Sequence, residues 1–346
     1  MSAAPKLTPT LTPERPERKD DLRKSGSAPA PLVAIVGPTA SGKSALGVWL
    51  ARRFGGEVLA CDSTQVYRGF DIGTAKPASE QREGVPHHLL DLVDPGFLFT
   101  AGEYRVRAIA VLEDLRRRSR PPILTVGTGL YLRALLEGLA DAPARSEELR
   151  ARLEAVAEAH NLQYLHRVLQ RLDPEAAARI GRRDRPKIIR AIEICLLTGR
   201  SLTEVHQAGR ARLEGYAPVK IGLHPPRPAL YDRIERRVHT MLDHGWLEEV
   251  AGLMRSGVPP EAKPFDFIGY SELRAHLEGT ITLAAATKAV SQATRRYAKR
   301  QLTWFRKEPL VHWFTGFGDD PAIAASAEQL VAGQLNTNAT SSSGSV

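Results

Sequence analysis

Two cysteines in 346 residues, Cys61 and Cys195, are too few for a disulfide framework or a cysteine-based zinc site. A reducing cytoplasm is the simplest setting for such a chain. No apolar run approaches the length of a bilayer span, so no membrane association is expected. The opening stretch MSAAPKLTPTLTPERPERKDDLRKSGSAPAP lacks the apolar segment of a secretory signal. It is rich in Pro, Ser, Thr and charge, and 1–30 is expected to be a disordered leader. Residues 317–346 end in LNTNATSSSGSV and are expected to be a largely disordered tail. The adjacent His87 and His88 have no further ligand at metal-binding spacing, which favours a structural role. No internal repeat is visible.

With 42% hydrophobic and 25% charged residues, the composition is that of a soluble globular protein long enough for about two domains. The net charge of +9 and pI near 9.7 suggest a polyanionic partner. LVAIVG (32–37) reads as a buried parallel strand, KSALGVWLARRFG as a helix, and EVLAC (57–61) as a second strand. RVRAIAVLEDLRRRSR follows as an amphipathic helix, and PPILTVGTGLY as a third strand closed by a glycine turn. This alternation predicts an α/β protein with a doubly wound parallel sheet. From 142 to 206 every segment reads as helix, which predicts an all-helical insertion domain. The catalytic core is then expected over 31–141 and 207–316, with APVKIGLHPPRP returning to the sheet and LVHWF as its last strand.

Gly37-Pro38-Thr39-Ala40-Ser41-Gly42-Lys43-Ser44 fits G-x-x-x-x-G-K-[ST] between a strand and a helix, the pattern of a nucleotide-binding, ATP-gripping loop. Its backbone N–H groups and the helix N-terminus favour phosphate oxygens, Lys43 adds charge, and Ser44 offers a hydroxyl to Mg²⁺. The pattern establishes a di- or triphosphate ligand without establishing a nucleotide. Asp62 stands at the carboxyl end of the second strand, where open α/β sheets place ligands. It suits either a general base or support of Mg²⁺. The loop CDSTQVYRGFDIGTAKP carries Ser63, Thr64 and Gln65 beside it, and a glutamine can pair with a base edge. Arg233 and Arg237, four apart, form either a solvated helix face or a stripe toward a polyanion. TKAVSQATRRYAKRQLTWFRK has no acid between Lys288 and Lys307, and Arg296, Arg300 and Trp304 share a face suited to an RNA backbone. A second basic cluster includes Lys187 and Arg190.

In order along residues 33–314, GPTASGKS, DSTQVYRGFDIGTAKP, PHHLLDLVDP, GTGLYLRALLEGL, RIERRVHTML, Gly269-Tyr270 and RRYAKRQLTWFRK resemble the tRNA dimethylallyltransferases, or isopentenyl-tRNA transferases. The resemblance implies transfer of a dimethylallyl group from dimethylallyl diphosphate to N6 of adenine-37, next to the tRNA anticodon. It implies Asp62 as base, Thr39 at the oxygen bridging prenyl carbon and diphosphate, and Arg237 at the diphosphate. It also implies tRNA contacts at Asp62, Ser63, Thr64, Gln65, Thr128, Lys187, Arg190, Gly269, Tyr270, Arg296 and Arg300. Mg²⁺ at Ser44 would be the cofactor, and the enzyme is expected to be a cytoplasmic monomer. Two other readings stay open on the residues alone. One is a P-loop kinase or NTPase acting on a small molecule; the other is a nucleic-acid-binding P-loop protein without prenyl chemistry.

Overall fold

A computed structural model describes residues 29–209 and 211–342. The expected leader, apart from residues 29 and 30, lies outside the described residues, as do 343–346. The first half runs β1 (Ala30–Val36), α1 (Lys43–Phe54), β2 (Glu57–Cys61), α2 (Ser79–Arg82), β3 (His87–His88), α3 (Ala101–Arg117), β4 (Pro122–Val126) and α4 (Gly129–Glu137). Five helices follow: α5 (Glu147–His160), α6 (Leu162–Leu172), α7 (Pro174–Arg179), α8 (Arg185–Thr198) and α9 (Leu202–Gln207). The chain then forms β5 (Tyr216–Leu223), α10 (Arg227–Asp243), α11 (Trp246–Arg255), α12 (Tyr270–Leu277), α13 (Leu283–Phe305), β6 (Val311–Phe314) and α14 (Pro321–Ser342).

All strands are parallel, in the order β3-β2-β4-β1-β5-β6. The doubly wound α/β class read from the sequence is the class observed. β1 shows why the sheet is covered on both faces: Leu32, Ala34 and Val36 pack with α3 and α4, whereas Val33 and Ile35 pack with α1 and α14. Side chains alternate across a strand, so an unbroken apolar run demands cover on each side. Burying each such aliphatic side chain stabilises the fold by roughly 1.5–3 kcal/mol. α3 starts at a reciprocal cap, in which Thr100 Oγ1 accepts from Glu103 N (3.2 Å) and Glu103 accepts from Thr100 N (2.7 Å). Its Tyr104, Ala108, Leu112 and Leu115 then fall on one buried face.

Register decides what the sheet presents. Cys61 pairs with Val126, so Asp62 and Gly127 leave the sheet side by side. Helices α5 to α9 pack around a cluster of their own that includes Leu165, Leu169, Ile188 and Ile192. Within it the fully buried Glu193 accepts from Arg150, Arg190 and the Ser146 N–H.

The C-terminal segment differs from expectation. Residues 321–342 form α14, whose Ala324, Ala327 and Val331 are buried against α1 and the sheet. Its buried face is built of small residues, which give little hydropathy signal while alanine favours helix strongly. Arg53 and Trp49 of α1 donate to its Glu328.

The paired histidines prove structural. His88 Nε2 lies 2.7 Å from Glu57, and His87 Nδ1 lies 2.9 Å from the Val85 carbonyl. Hydrogen bonds from Arg118 hold the buried Glu57 carboxyl down at about 2, against the upward push of burial and with help from His88. A depressed carboxylate contributes stability that is complete above its unfolded value of 4.5 and is lost as pH falls toward 2. Glu57→Gln is therefore expected to cost roughly 2–3 kcal/mol near neutral pH. Urea unfolding across the acid range should show the wild-type advantage shrinking between these two pH values.

Candidate active site

The turn after β1 carries three residues at positive φ, Gly37 (147°), Ala40 (63°) and Gly42 (88°), before α1 begins at Lys43. Such a turn aims backbone N–H groups into one concavity. Ser41 is fully buried and its hydroxyl has no partner among the described residues, so a polar atom stands ready within the cradle. Thr39 and Ser44 both line the same cleft, and Ser44 is exposed at the helix start.

Lys43 folds back over the loop, donating to the carbonyls of Gly37 (3.0 Å) and Pro38 (2.8 Å). Burial pushes its ammonium down to about 7; Asp62 opposes this and Arg237 reinforces it. Arg237 is itself pushed down, by burial and by Arg233, with Asp62 pulling the other way. Arg237 has no hydrogen-bond or ion-pair partner among the described residues. Lys43 and Arg237 thus share the cleft with the Asp62 carboxylate, which acts on both.

That carboxylate is held firmly. Asp62 Oδ1 accepts from Thr64 N (2.8 Å) and Thr64 Oγ1 (2.7 Å). Its Oδ2 faces the β4 turn, where a Cβ on Gly127 would lie only 1.8 Å away. Only glycine there leaves room for the carboxylate. Next to it, Thr128 Oγ1 accepts from Ser63 N (2.9 Å) and reaches Ser63 Oγ (3.1 Å), tying the β2 loop to the start of α4. Gln65 spends its amide nitrogen on the carbonyls of Thr74 and Ala75 (both 3.1 Å), which leaves its oxygen to accept from a ligand.

Gln301 of α13 was not singled out from the sequence. It is buried, accepts from Thr39 N (2.7 Å) and donates to the Gly127 carbonyl (2.8 Å). One side chain thereby sets the phosphate loop at a fixed distance from the Asp62 turn. Tyr297, one helical turn earlier, also donates to Gly127 O (3.2 Å). The available signal was an uncharged amide four residues after a tyrosine, inside an otherwise basic run.

Asp62, Thr39, Arg237, Gln65 and Arg300 all line one cleft of about 1620 Å³, large enough for a diphosphate and a nucleotide together. On α13, Arg296 is exposed and without a partner among the described residues, and Arg300, exposed where it lines the cleft, lies 5.6 Å from the Tyr297 ring centre. Trp304, one turn further on, is covered by Arg133 at 4.8 Å.

Other expected contacts are placed differently. Tyr270 is fully buried and donates to Glu249 Oε1 (2.6 Å), so its side chain cannot meet RNA. Gly269 packs against the Trp246 ring, where an added Cβ would come within 2.0 Å. Glu249 also accepts from the N–H groups of Asp71 (3.0 Å) and Ile72 (2.8 Å), so this pair anchors the 71–73 loop. Arg190 is engaged by Glu193 (2.6 Å) and the Pro143 carbonyl (2.8 Å), a helix-packing role. Lys187 is exposed on α8 and pairs with Asp184 (2.5 Å). Arg233 lines the same cleft as Arg237, but its guanidinium is bound to Asp319.

A family model described as IPP transferase matches residues 65–308. The chain belongs to that family. A tRNA dimethylallyltransferase of Koribacter versatilis is 50% identical over 300 residues, covering 87% of this chain and 97% of that protein. One of Solibacter usitatus is 48% identical over 302 residues, covering 87% and 98%. Among solved structures, the full-length tRNA isopentenylpyrophosphate transferase of Bacillus halodurans is similar at TM-score 0.66 and 40% identity, covering 90% of this chain and 98% of that one. A eukaryotic dimethylallyltransferase acting on tRNA is similar at TM-score 0.76 and 26% identity, covering 89% and 80%. The site geometry above is therefore that of an IPP transferase family enzyme.

Lys43 supplies a direct test of the loop. Mostly neutral above its value of about 7, it should regain a proton when a diphosphate binds beside it. Calorimetric titration with inorganic diphosphate in buffers of differing ionisation enthalpy should show uptake approaching one proton at about pH 8. The uptake should fade below about pH 6 and vanish in Lys43→Met at either pH.

Proposed function

We propose that this enzyme transfers the dimethylallyl group of dimethylallyl diphosphate to N6 of adenine-37 in tRNA, releasing diphosphate. The observation that carries this reading is the shared cleft, in which a fixed carboxylate, Asp62, lies with Lys43 of the phosphate loop and Arg237 of α10. N6 attacks the first prenyl carbon as the bond from that carbon to the diphosphate oxygen breaks. The N6 proton passes to Asp62, whose Oδ2 accepts no hydrogen bond among the described residues while Oδ1 is held by Thr64. Negative charge gathers on the departing diphosphate, where the loop N–H groups, Lys43 and Arg237 are already in place. Thr39 supports the bridging oxygen through its hydroxyl, its backbone being held by Gln301.

Mg²⁺ suits this site. Among the described residues there is no cluster of three or more His, Cys, Asp or Glu. Mg²⁺ is commonly held by one or two protein oxygens together with phosphate and water. Ser44 would hold it, and when bound it would add positive charge beside the diphosphate.

An adenine stacked in an anticodon loop must be drawn out before its N6 can reach Asp62. Ser63, Thr64 and Gln65 line the place where its edge would lie, and Thr128 braces them. Arg296, Arg300 and Lys187 are exposed cations suited to the RNA backbone. No helix among the described residues is long and apolar enough to cross a membrane. Two unpaired cysteines agree with a reducing cytoplasm.

The test uses labelled dimethylallyl diphosphate and unmodified tRNA carrying adenine at position 37. Label should appear in the tRNA, and ATP turnover without such transfer would sink the assignment. Asp62→Asn should lower kcat by about 10²- to 10⁴-fold while tRNA affinity changes little. The combined Arg296→Gln and Arg300→Gln variant should bind tRNA more weakly and reduce the slope of log affinity against log salt by about 1–2. An unchanged slope would move the RNA backbone contact off α13.

A further inference from the structure

Between β6 and α14 the chain crosses directly over the phosphate loop. Gly318 N donates to the Ser41 carbonyl (2.8 Å). A Cβ on Gly318 would lie 2.5 Å from the Gly42 carbonyl oxygen, although Gly318 is not among the glycines at positive φ. Close approach to the loop, not backbone conformation, is what requires a glycine here. From the other side, a Cβ on Gly42 would lie 2.6 Å from Asp319 Oδ1 and 2.7 Å from Gly318 N.

The crossing is clamped at both ends. Arg233 of α10 grips Asp319 through two parallel bonds (2.8 and 2.6 Å) and lies 4.6 Å from the Phe317 ring centre. The next residue, Asp320, caps α14 by accepting from Ala322 N (2.9 Å), and α14 is buried against α1. A bidentate carboxylate–guanidinium pair of this kind holds geometry as well as charge.

Sheet order gives the crossing its meaning. β1 leads into the phosphate loop, with β4 and β2 on one side and β5 and β6 on the other. On the β4 side lie Asp62 and Gly127, and Phe317, Gly318 and Asp319 wall the same cleft from the β6 side. On the β6 side the Gly318 backbone and the Asp319 carboxylate press against the start of α1. A diphosphate ester has to lead its organic group out of the loop on one side or the other.

We propose that Phe317–Asp319 is a specificity strap. It closes the β6 side of the loop, so that diphosphate esters bind only with the ester group toward Asp62. Nucleoside di- and triphosphates whose nucleoside would cross the start of α1 are refused by contact with the Gly318 backbone and with the Asp319 side chain that Arg233 holds in place. The strap turns a loop of nucleotide-binding pattern into a one-sided holder for a small leaving group. This rests on the reading that the loop holds a diphosphate.

The experiment measures Mg²⁺-supported binding of inorganic diphosphate and of ADP by titration calorimetry. The proteins are the wild type and the double variant Arg233→Ala with Asp319→Ala, which releases the strap without freeing a cation. The wild type is expected to prefer inorganic diphosphate by at least about tenfold. The variant should narrow that gap by at least about fivefold, through tighter ADP binding. If the variant fails to fold, the wild-type ratio alone decides. Equal wild-type affinity for the two ligands, or an unchanged gap in a folded variant, overturns the strap. Absence of inorganic diphosphate binding would instead overturn the reading of the loop itself.

Discussion

Lys43 and Arg237 stand in one cleft with the Asp62 carboxylate, and burial pushes both cations toward their neutral forms. Charges removed from water are costly unless they are paired. Here the pairing is incomplete, and the excess is positive. A dianionic or more highly charged group relieves it. The phosphate loop, the fixed Asp62 and the strap can all be understood as devices that keep this imbalance in place and decide what relieves it. A surface cluster of the same residues would have its charges screened and would discriminate little.

Helix α13 couples the two halves of the proposed chemistry. Its inner face carries Gln301, which spans Thr39 and Gly127, and Tyr297, which also reaches Gly127. Its outer face carries Arg296, and Arg300 is exposed where it lines the cleft. RNA docked on the outer face would therefore rest on the element that sets the distance between leaving group and base. Sub-ångström placement matters for displacement reactions, and a helix is stiffer than a loop for that purpose. The 71–73 loop is fixed in the same spirit by Glu249, which gathers two strong backbone donors and the Tyr270 hydroxyl.

Much of the frame was legible in advance. The apolar run at 32–37, the EVLAC strand and the phosphate loop are local signals, since strand period and turn chemistry are set by residues a few positions apart. α14 was misread because a buried face of Ala324, Ala327 and Val331 shows almost no hydropathy contrast. Strand β3 is two residues long and gains its pairing only from β2. Tyr270 and Arg190 carry motif-like neighbours, yet one is buried on Glu249 and the other is spent on Glu193. Exposure and partnership depend on what packs against a residue, and that partner lies far along the chain.

The sequence by itself determined that a loop of phosphate-binding pattern follows the first strand, that a parallel sheet carries it, and that Asp62 stands at a strand end. These follow from spacing along a few dozen residues. Tertiary structure alone decided which cations remain free: Arg237 stays open while Arg233 is captured by Asp319, 86 positions away. It also decided that Gln301 sets the loop, across 262 positions, and that residues 317–319 close one side of it. Both outcomes depend on parallel strand order and register. Those bring the β1, β2, β4 and β6 ends together in space, and no local pattern encodes which distant side chain then meets which.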